Sequence, residues 1–217
     1  MTIRHRRYDR RKRVLDMLVA AVLLVLLSPV LLGCAAAVAL ALGRPVLFRQ
    51  NRPGRDGRLF ELRKFRTMRP VSPGRTSDAD RLTRLGRWLR ATSLDELPTL
   101  WNVLRGDMSL VGPRPLLVGY LDLYTPEQAR RHEVRPGITG LAQVRGRNAL
   151  SWEEKFRYDV EYVDGRCLAL DLRILLETVR QVLRRQGISA PGSPTMPEFT
   201  GSRRVGAEPG PGRGADS

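Results

Sequence analysis

Asp95 and Glu96 stand side by side in a segment crowded with arginine, Arg90-Ala91-Thr92-Ser93-Leu94-Asp95-Glu96-Leu97-Pro98. Asn102, Arg105, Gly106-Asp107-Met108-Ser109 and Gly112-Pro113-Arg114-Pro115 follow. Adjacent carboxylates beside cations can act as a nucleophile and its helper, or as hard oxygen ligands for magnesium. The same residues have an ordinary structural use. Ser93 to Glu96 spells a capping box, with Asp95 well placed in the positive first turn of a helix. On local sequence that cap is the commoner use, although Pro98 argues for a helix start nearer to itself. Arg114, fixed between two prolines, is either a rigid phosphate clamp or part of a surface loop. Arg135-Pro136-Gly137-Ile138-Thr139-Gly140, followed by Gln143 and Arg145-Gly146-Arg147-Asn148, can offer backbone amides and arginines to an anion, a weak signal by itself. His132 sits in an arginine-rich helical stretch, where a histidine is more often a surface or interface residue than a general base. Lys64, Arg66, Asp159 and Asp171, taken singly, read as solvated faces or ion pairs.

The elements that must position these residues begin with a membrane segment. Met17 to Gly43 carries no charged side chain over 27 residues, more than the ~20 that span a bilayer as a helix. It is too long for a cleaved signal peptide, and Cys34-Ala35-Ala36-Ala37 leads into more apolar sequence. Ser28-Pro29 near its middle predicts a kink. Basic residues crowd both flanks, from Arg4 to Arg13 before it and from Arg44 to Lys64 after it, and basic flanks favour the cytoplasmic side. A re-entrant hairpin satisfies both flanks; a kinked single span satisfies the apolar length equally well. The chain then divides into residues 1–43, a basic N-terminus and membrane helix; 44–189, one domain; and 190–217, a Pro-, Gly- and Ser-rich tail expected to be disordered. Within the domain, Val46 to Gln50 and Leu59 to Phe65 predict a hairpin. Asp78 to Ala91 predicts a single amphipathic helix with Leu82, Leu85 and Leu89 on one face, suited to a membrane surface. Ser151-Trp152-Glu153-Glu154 opens a helix through about Val163, and Leu168 to Gln186 forms a last helix closed by Gly187. The fold class is α+β, mostly helical, with a small β-hairpin.

Charge and cysteine count exclude several functions. The 217 residues carry 38 Lys plus Arg against 22 Asp plus Glu, a net charge of +16. The first 13 residues hold seven basic side chains against one acidic and the tail three against three, so +10 lies in the remainder. No zinc finger, aromatic RNA-binding strand or basic zipper accompanies this charge, which argues against nucleic acid. Lipid headgroups account for the basic flanks, and an anionic small substrate for much of the rest. Cys34 and Cys167 cannot make a disulfide framework or a four-ligand zinc site.

Taken in order, Lys64-Phe65-Arg66-Thr67-Met68, Thr92 to Pro98, Asn102 to Pro115 and Arg135 to Gly140 resemble the bacterial sugar transferase family, small monotopic phosphoglycosyl transferases that start lipid-linked glycan assembly. The likeness runs from about Arg11 to Gly187. It implies transfer of a phosphosugar from a UDP-sugar to undecaprenyl phosphate with release of UMP, the first membrane step of exopolysaccharide, O-antigen or glycoprotein glycan assembly. By the same resemblance Asp95 is the nucleophile of a covalent phosphosugar intermediate. Glu96 is its partner, and the two are the metal ligands for Mg2+. The resemblance also implies that Arg90 and Arg114 bind phosphate, that Lys64 and Arg147 lie near the site, and that Asp159 and Asp171 support it. It favours the re-entrant hairpin, with the catalytic domain on the cytoplasmic face of the bacterial inner membrane among membrane lipid. Arg145 departs from the pattern, standing where the family has asparagine. Neither the sugar nor the glycan is legible, a homodimer is left open, and an inactive scaffold is the competing function.

Overall fold

The computed structural model describes residues 3–74, 76–146, 149–184 and 198–201. Helix α1 (Ile3–Leu26) and helix α2 (Ser28–Leu42) form a pair bent by 64° at Leu27. Pro29 has no N–H to give the carbonyl of Val25 one turn back, and the Ser28 hydroxyl takes that acceptor at 2.8 Å. The bend therefore leaves that carbonyl satisfied, which matters in an apolar setting. Among the described residues no single helix is long and apolar enough to cross a membrane, although the bent pair together has the length and apolar composition to do so. Much of its apolar surface is exposed, Val25 at 73%, Leu32 at 72% and Leu40 at 89%.

The predicted hairpin is present, as β1 (Leu47–Pro53) antiparallel to β2 (Leu59–Phe65). It is longer than the pattern indicated, because β1 continues through Asn51 and Arg52. Phe65 of β2 joins Cys34 and Val38 of α2 in a small buried cluster. The single helix expected over Asp78 to Ala91 is instead two, α3 (Asp78–Arg81) and α4 (Arg84–Ala91). Leu82 leaves the helix to bridge Met68, and Thr83 caps α4 by accepting from the Gly86 N–H at 3.0 Å. Leu85 and Leu89 then face the α2 cluster while Trp88 stays half exposed.

Helix α5 (Leu100–Arg105) leads into β3 (Ser109–Val111), which pairs in parallel with β4 (Gly137–Thr139). The two backbones touch: a Cβ on Gly137 would lie 2.1 Å from the Gly112 nitrogen, so the glycine permits the approach. Both glycine-rich motifs are thereby welded together. Between them lie α6 (Pro126–Ala129) and a short 3-10 helix, Arg130–Glu133. Helices α7 (Leu141–Arg145), α8 (Trp152–Gly165) and α9 (Leu168–Arg184) follow. The capping box predicted at Ser151 is formed in full. The main core gathers Leu62, Leu100, Val103, Met108, Val111, Tyr162, Val163 and Ile174 beneath Ala20 of α1. The predicted closure of the last helix at Gly187 lies outside the described residues, as does most of the 190–217 tail. Among its four described residues, 198–201, Phe199 is buried against Tyr120, Tyr124, Trp152 and Phe156 in an aromatic cluster.

Candidate active site

Ser93 takes φ 57° and ψ 16°, a left-handed conformation that costs a non-glycine residue on the order of 1 kcal/mol. It turns the chain from α4 into the 3-10 helix Leu94–Thr99, so that Leu94 packs into the α2 cluster and Leu97 onto the main core. Asp95 and Glu96 are held between these two anchors. The expected capping box is absent: the serine hydroxyl makes no cap bond, and the Glu96 N–H bonds to the Ser93 carbonyl instead. The reason is the backbone, since an N-cap needs extended φ/ψ to aim its side chain at the first turn.

Glu96 is bound twice through one oxygen. Its Oε1 accepts from Lys64 Nζ at 2.5 Å and from Arg114 Nη2 at 2.9 Å. Burial pushes Glu96 up, but Arg114 and Lys64 outweigh it and hold the carboxyl well below the usual carboxylate range. Burial lowers Lys64, against the pull of Glu96. Asp95 is treated differently. It is 9% exposed and, among the described residues, accepts no hydrogen bond. Burial, and then the charge of Glu96, raise its carboxyl to about 6, against the pull of Lys64, Arg90 and Arg114. The pair thus offers one neutralised carboxylate and one uncommitted, destabilised one, the condition under which a carboxylate gains by forming a bond. A cleft of about 90 Å³, lined by Arg52, Lys64, Glu96, Arg114, Pro115 and Ile138 among others, lies against Glu96.

The other predicted residues fall at graded removes. Arg90 donates from Nε to the Thr67 hydroxyl at 3.1 Å and acts on Asp95 through its charge. Asp159 reaches Arg114 through one intervening residue. Its Oδ2 accepts from Arg131 Nη2 and Nε at 2.7 and 2.9 Å, both residues fully buried, and Arg131 in turn donates to the Arg114 carbonyl at 2.7 Å. Asp171 is brought elsewhere, into a buried knot with Tyr8 (2.6 Å), Lys12 (2.5 Å) and Tyr162 (2.8 Å) that ties α1 to α8 and α9. Arg147 lies outside the described residues. For magnesium, no group of three or more His, Cys, Asp or Glu side chains forms among the described residues. The donor set still fits, because magnesium is ordinarily held by one or two carboxylates, completed by substrate phosphates and water.

Two site residues were not singled out from sequence. Arg131 anchors the Arg114 loop, whereas its neighbour His132 drew attention; burial and Arg131 push that imidazole down to about 4, and its Nδ1 is bonded to the Gly54 carbonyl at 3.2 Å. No local signal marks Arg131. Arg52 lines the cleft because β1 runs on past Gln50, where the predicted strand ended, and strand alternation then puts it on one face with Lys64.

A carboxylate pair with one member unbonded among the described residues, set among arginines beside a bent apolar helix pair, has the chemistry to act on a phosphorylated group. Comparison with known proteins gives the family: the chain belongs to the bacterial sugar transferases, whose profile matches residues 7–185. It is 54% identical over 197 residues to the uncharacterized sugar transferase EpsL of Bacillus subtilis, an alignment covering 89% of this chain and 98% of that protein. It is 48% identical over 189 residues to the UDP-glucose:undecaprenyl-phosphate glucose-1-phosphate transferase of Caulobacter vibrioides, covering 81% of this chain and 70% of the relative. The enzyme of that name from Klebsiella pneumoniae is 41% identical over 181 residues, 77% of this chain but 39% of its own length. The protein is therefore an enzyme, a sugar-phosphate transferase.

Proposed function

We propose that the protein transfers a sugar phosphate from a UDP-sugar to undecaprenyl phosphate, in two displacements that share Asp95 as the nucleophile. The observation that carries this reading is the asymmetry of the pair, Glu96 bonded through one oxygen to Lys64 and Arg114 while Asp95 is buried, raised to about 6 and, among the described residues, without a hydrogen bond. In the first displacement an Asp95 carboxylate oxygen bonds to the β-phosphorus of the donor. The bond from that phosphorus to the bridging oxygen breaks, and UMP leaves with the electron pair. In the second a phosphate oxygen of the lipid attacks the same phosphorus and the Asp95 oxygen departs as carboxylate. Dividing one displacement into two lets each acceptor be positioned separately. Arg114 and Lys64 supply positive charge where the transferring phosphoryl gathers negative charge, and Arg90 keeps Asp95 ionised. Asp95 and Glu96 would hold Mg2+, which when bound neutralises phosphate charge. Asp159 keeps Arg114 in place through Arg131.

The bent pair α1–α2 is read as a re-entrant hairpin in the cytoplasmic leaflet of the bacterial inner membrane. Its 64° bend, exposed apolar surface and basic flanks on both sides support this. Such a hairpin would set the cleft at headgroup level, where a lipid phosphate resides, and the lipid-linked sugar phosphate made there is a unit on which a glycan can be started. The test is UMP release from a panel of UDP-sugars with undecaprenyl phosphate and Mg2+, in nanodiscs. Release by wild type and none by Asp95→Asn is expected; equal release by both would refute the role of Asp95, and none by folded wild type would favour an inactive scaffold.

A further inference from the structure

Among the described residues that line the cleft, Arg52 is the cation that Glu96 does not bind. In the hairpin register Arg52 pairs with Phe60 and Lys64 with Phe48, so both cations stand on one face, four strand residues apart, about 13 Å along the strand. Both line the same cleft with Arg114, and so approach it from opposite ends. Lys64 and Arg114 each have an acidic partner in Glu96. Arg52 has no acidic partner among the described residues: its Nη2 donates to the Gln50 amide oxygen at 2.6 Å, and its Nε is buried without a partner. Burial, and then the like charge of Arg114, work against its ionised form. A guanidinium stays charged regardless, so the free protein holds an under-compensated cation that an anion would relieve. Arg55 and Arg66 also have a buried, unpaired Nε, but neither lines this cleft, and Arg66 gives its other nitrogens to carbonyls at the end of α2.

The two ends of the cleft differ. At the Lys64 end, Phe65 packs on Cys34 and Val38 and Arg66 bonds to the Leu42 and Gly43 carbonyls, so that end abuts the apolar hairpin. The Arg52 end is turned away from it, where β1 meets the 3-10 helix Val118–Leu123 and Arg52 feels the nearby Tyr120 and Tyr124. A lipid phosphate has reason to enter at the first end and a water-soluble nucleotide at the second. Resting on the reading of the preceding section, we propose that Arg52 binds the phosphate of the departing nucleotide, so that the donor lies along the cleft with its nucleoside end toward Arg52 and its transferred phosphorus toward Asp95. Arg52 then serves the first displacement and not the second.

Full-length wild type, Arg52→Gln and Arg52→Lys in nanodiscs would be compared in three readouts: KM for the UDP-sugar, product inhibition by UMP, and KM for undecaprenyl phosphate. Loss of one charged hydrogen bond weakens binding on the order of tenfold to a hundredfold. Arg52→Gln is expected to raise the UDP-sugar KM and the UMP inhibition constant together by such a factor, with the lipid KM within twofold, and Arg52→Lys to recover part of the loss. A raised lipid KM with unchanged UMP inhibition would reassign Arg52 to the acceptor. No change in any readout, or equal loss in all three with a lowered Tm, would make it structural. Each of these sinks the proposal while leaving the Asp95 chemistry standing, whereas wild type that neither releases nor is inhibited by UMP would overturn both.

Discussion

Adjacent carboxylates behave oppositely when only one of them is given cations to bond. Glu96 takes Lys64 and Arg114 on a single oxygen, and Asp95, one residue earlier, faces burial plus its neighbour's negative charge. Raising a carboxyl from 3.8 to about 6 means that the folded state binds this proton more tightly than the unfolded chain does. The stability it lends is complete below about pH 4 and is lost as pH rises through about 6. At neutral pH the ionised Asp95 is therefore a cost on the order of 1–3 kcal/mol, reckoned at 1.36 kcal/mol per unit. Asp95→Asn should abolish UMP release and yet raise Tm in detergent at pH 7.5, with that gain disappearing below pH 4. A lowered Tm would show that Asp95 is paired in a way the geometry does not contain. The same value sets an acid limb. UMP release should fall as pH drops through about 6, where Asp95 takes up its proton, in a pH–rate profile corrected for folding.

At the scale of elements, two devices set the site in place. One is the buried ion pair of Asp159 in α8 with Arg131, which reaches on to the Arg114 carbonyl. Removing one member of such a pair strands the other charge, at about 3–5 kcal/mol. Asp159→Ala should lower the stability by that order in chemical unfolding, and the surviving folded fraction should show a raised UDP-sugar KM as Arg114 loosens. The other device is the Ser28-Pro29 break. Pro29→Ala restores an N–H for the Val25 carbonyl and relieves a helix disruption of about 3 kcal/mol, so the 64° bend should relax. In a background lacking Cys34 and Cys167, a cysteine placed at position 2 should resist external labelling in right-side-out vesicles when Pro29 is present and become partly labelled in Pro29→Ala. Unchanged protection would mean that the basic flanks alone hold the topology. What was legible at this scale was local: the turn residues between β1 and β2, the capping box at Ser151, and the proline itself. The division of Asp78–Ala91 was not, because Leu82 follows a partner 14 residues away, Met68, rather than its helical periodicity. The 3-10 start at Ser93 was hidden for a like reason, since a left-handed serine is chosen by where Leu94 and Leu97 must pack.

For the whole molecule, a net charge of +16 is resolved into separate tasks. Arg13 donates to the Val103 and Leu104 carbonyls, Lys12 to Asp171 and Arg166 to Asp9, so part of the basic N-terminal helix is a fastening to the domain rather than a solvated flank. Composition counts such residues as free charge, because it cannot see which of them are paired. Asp171 illustrates the limit: the family resemblance implied that it supports the active site, and its side chain lies in a buried knot with Tyr8, Lys12 and Tyr162 that joins α1 to α8 and α9. Conversely, Lys64, Glu96 and Arg114, 50 residues apart from first to last, meet because β2 packs on the 3-10 helix Leu94–Thr99 and the Arg114 loop is locked over β4. The two displacements require a covalent bond to Asp95. The measurement that tests it most directly is intact-protein and peptide mass spectrometry of the nanodisc-held enzyme after rapid acid quench, with a turned-over UDP-sugar and no lipid acceptor. The expected result is a mass increase of one sugar phosphate on the peptide containing Asp95, lost when undecaprenyl phosphate is added and absent in Asp95→Asn. Turnover with no adduct at any quench time, and UMP release that begins only when the lipid is present, would contradict it.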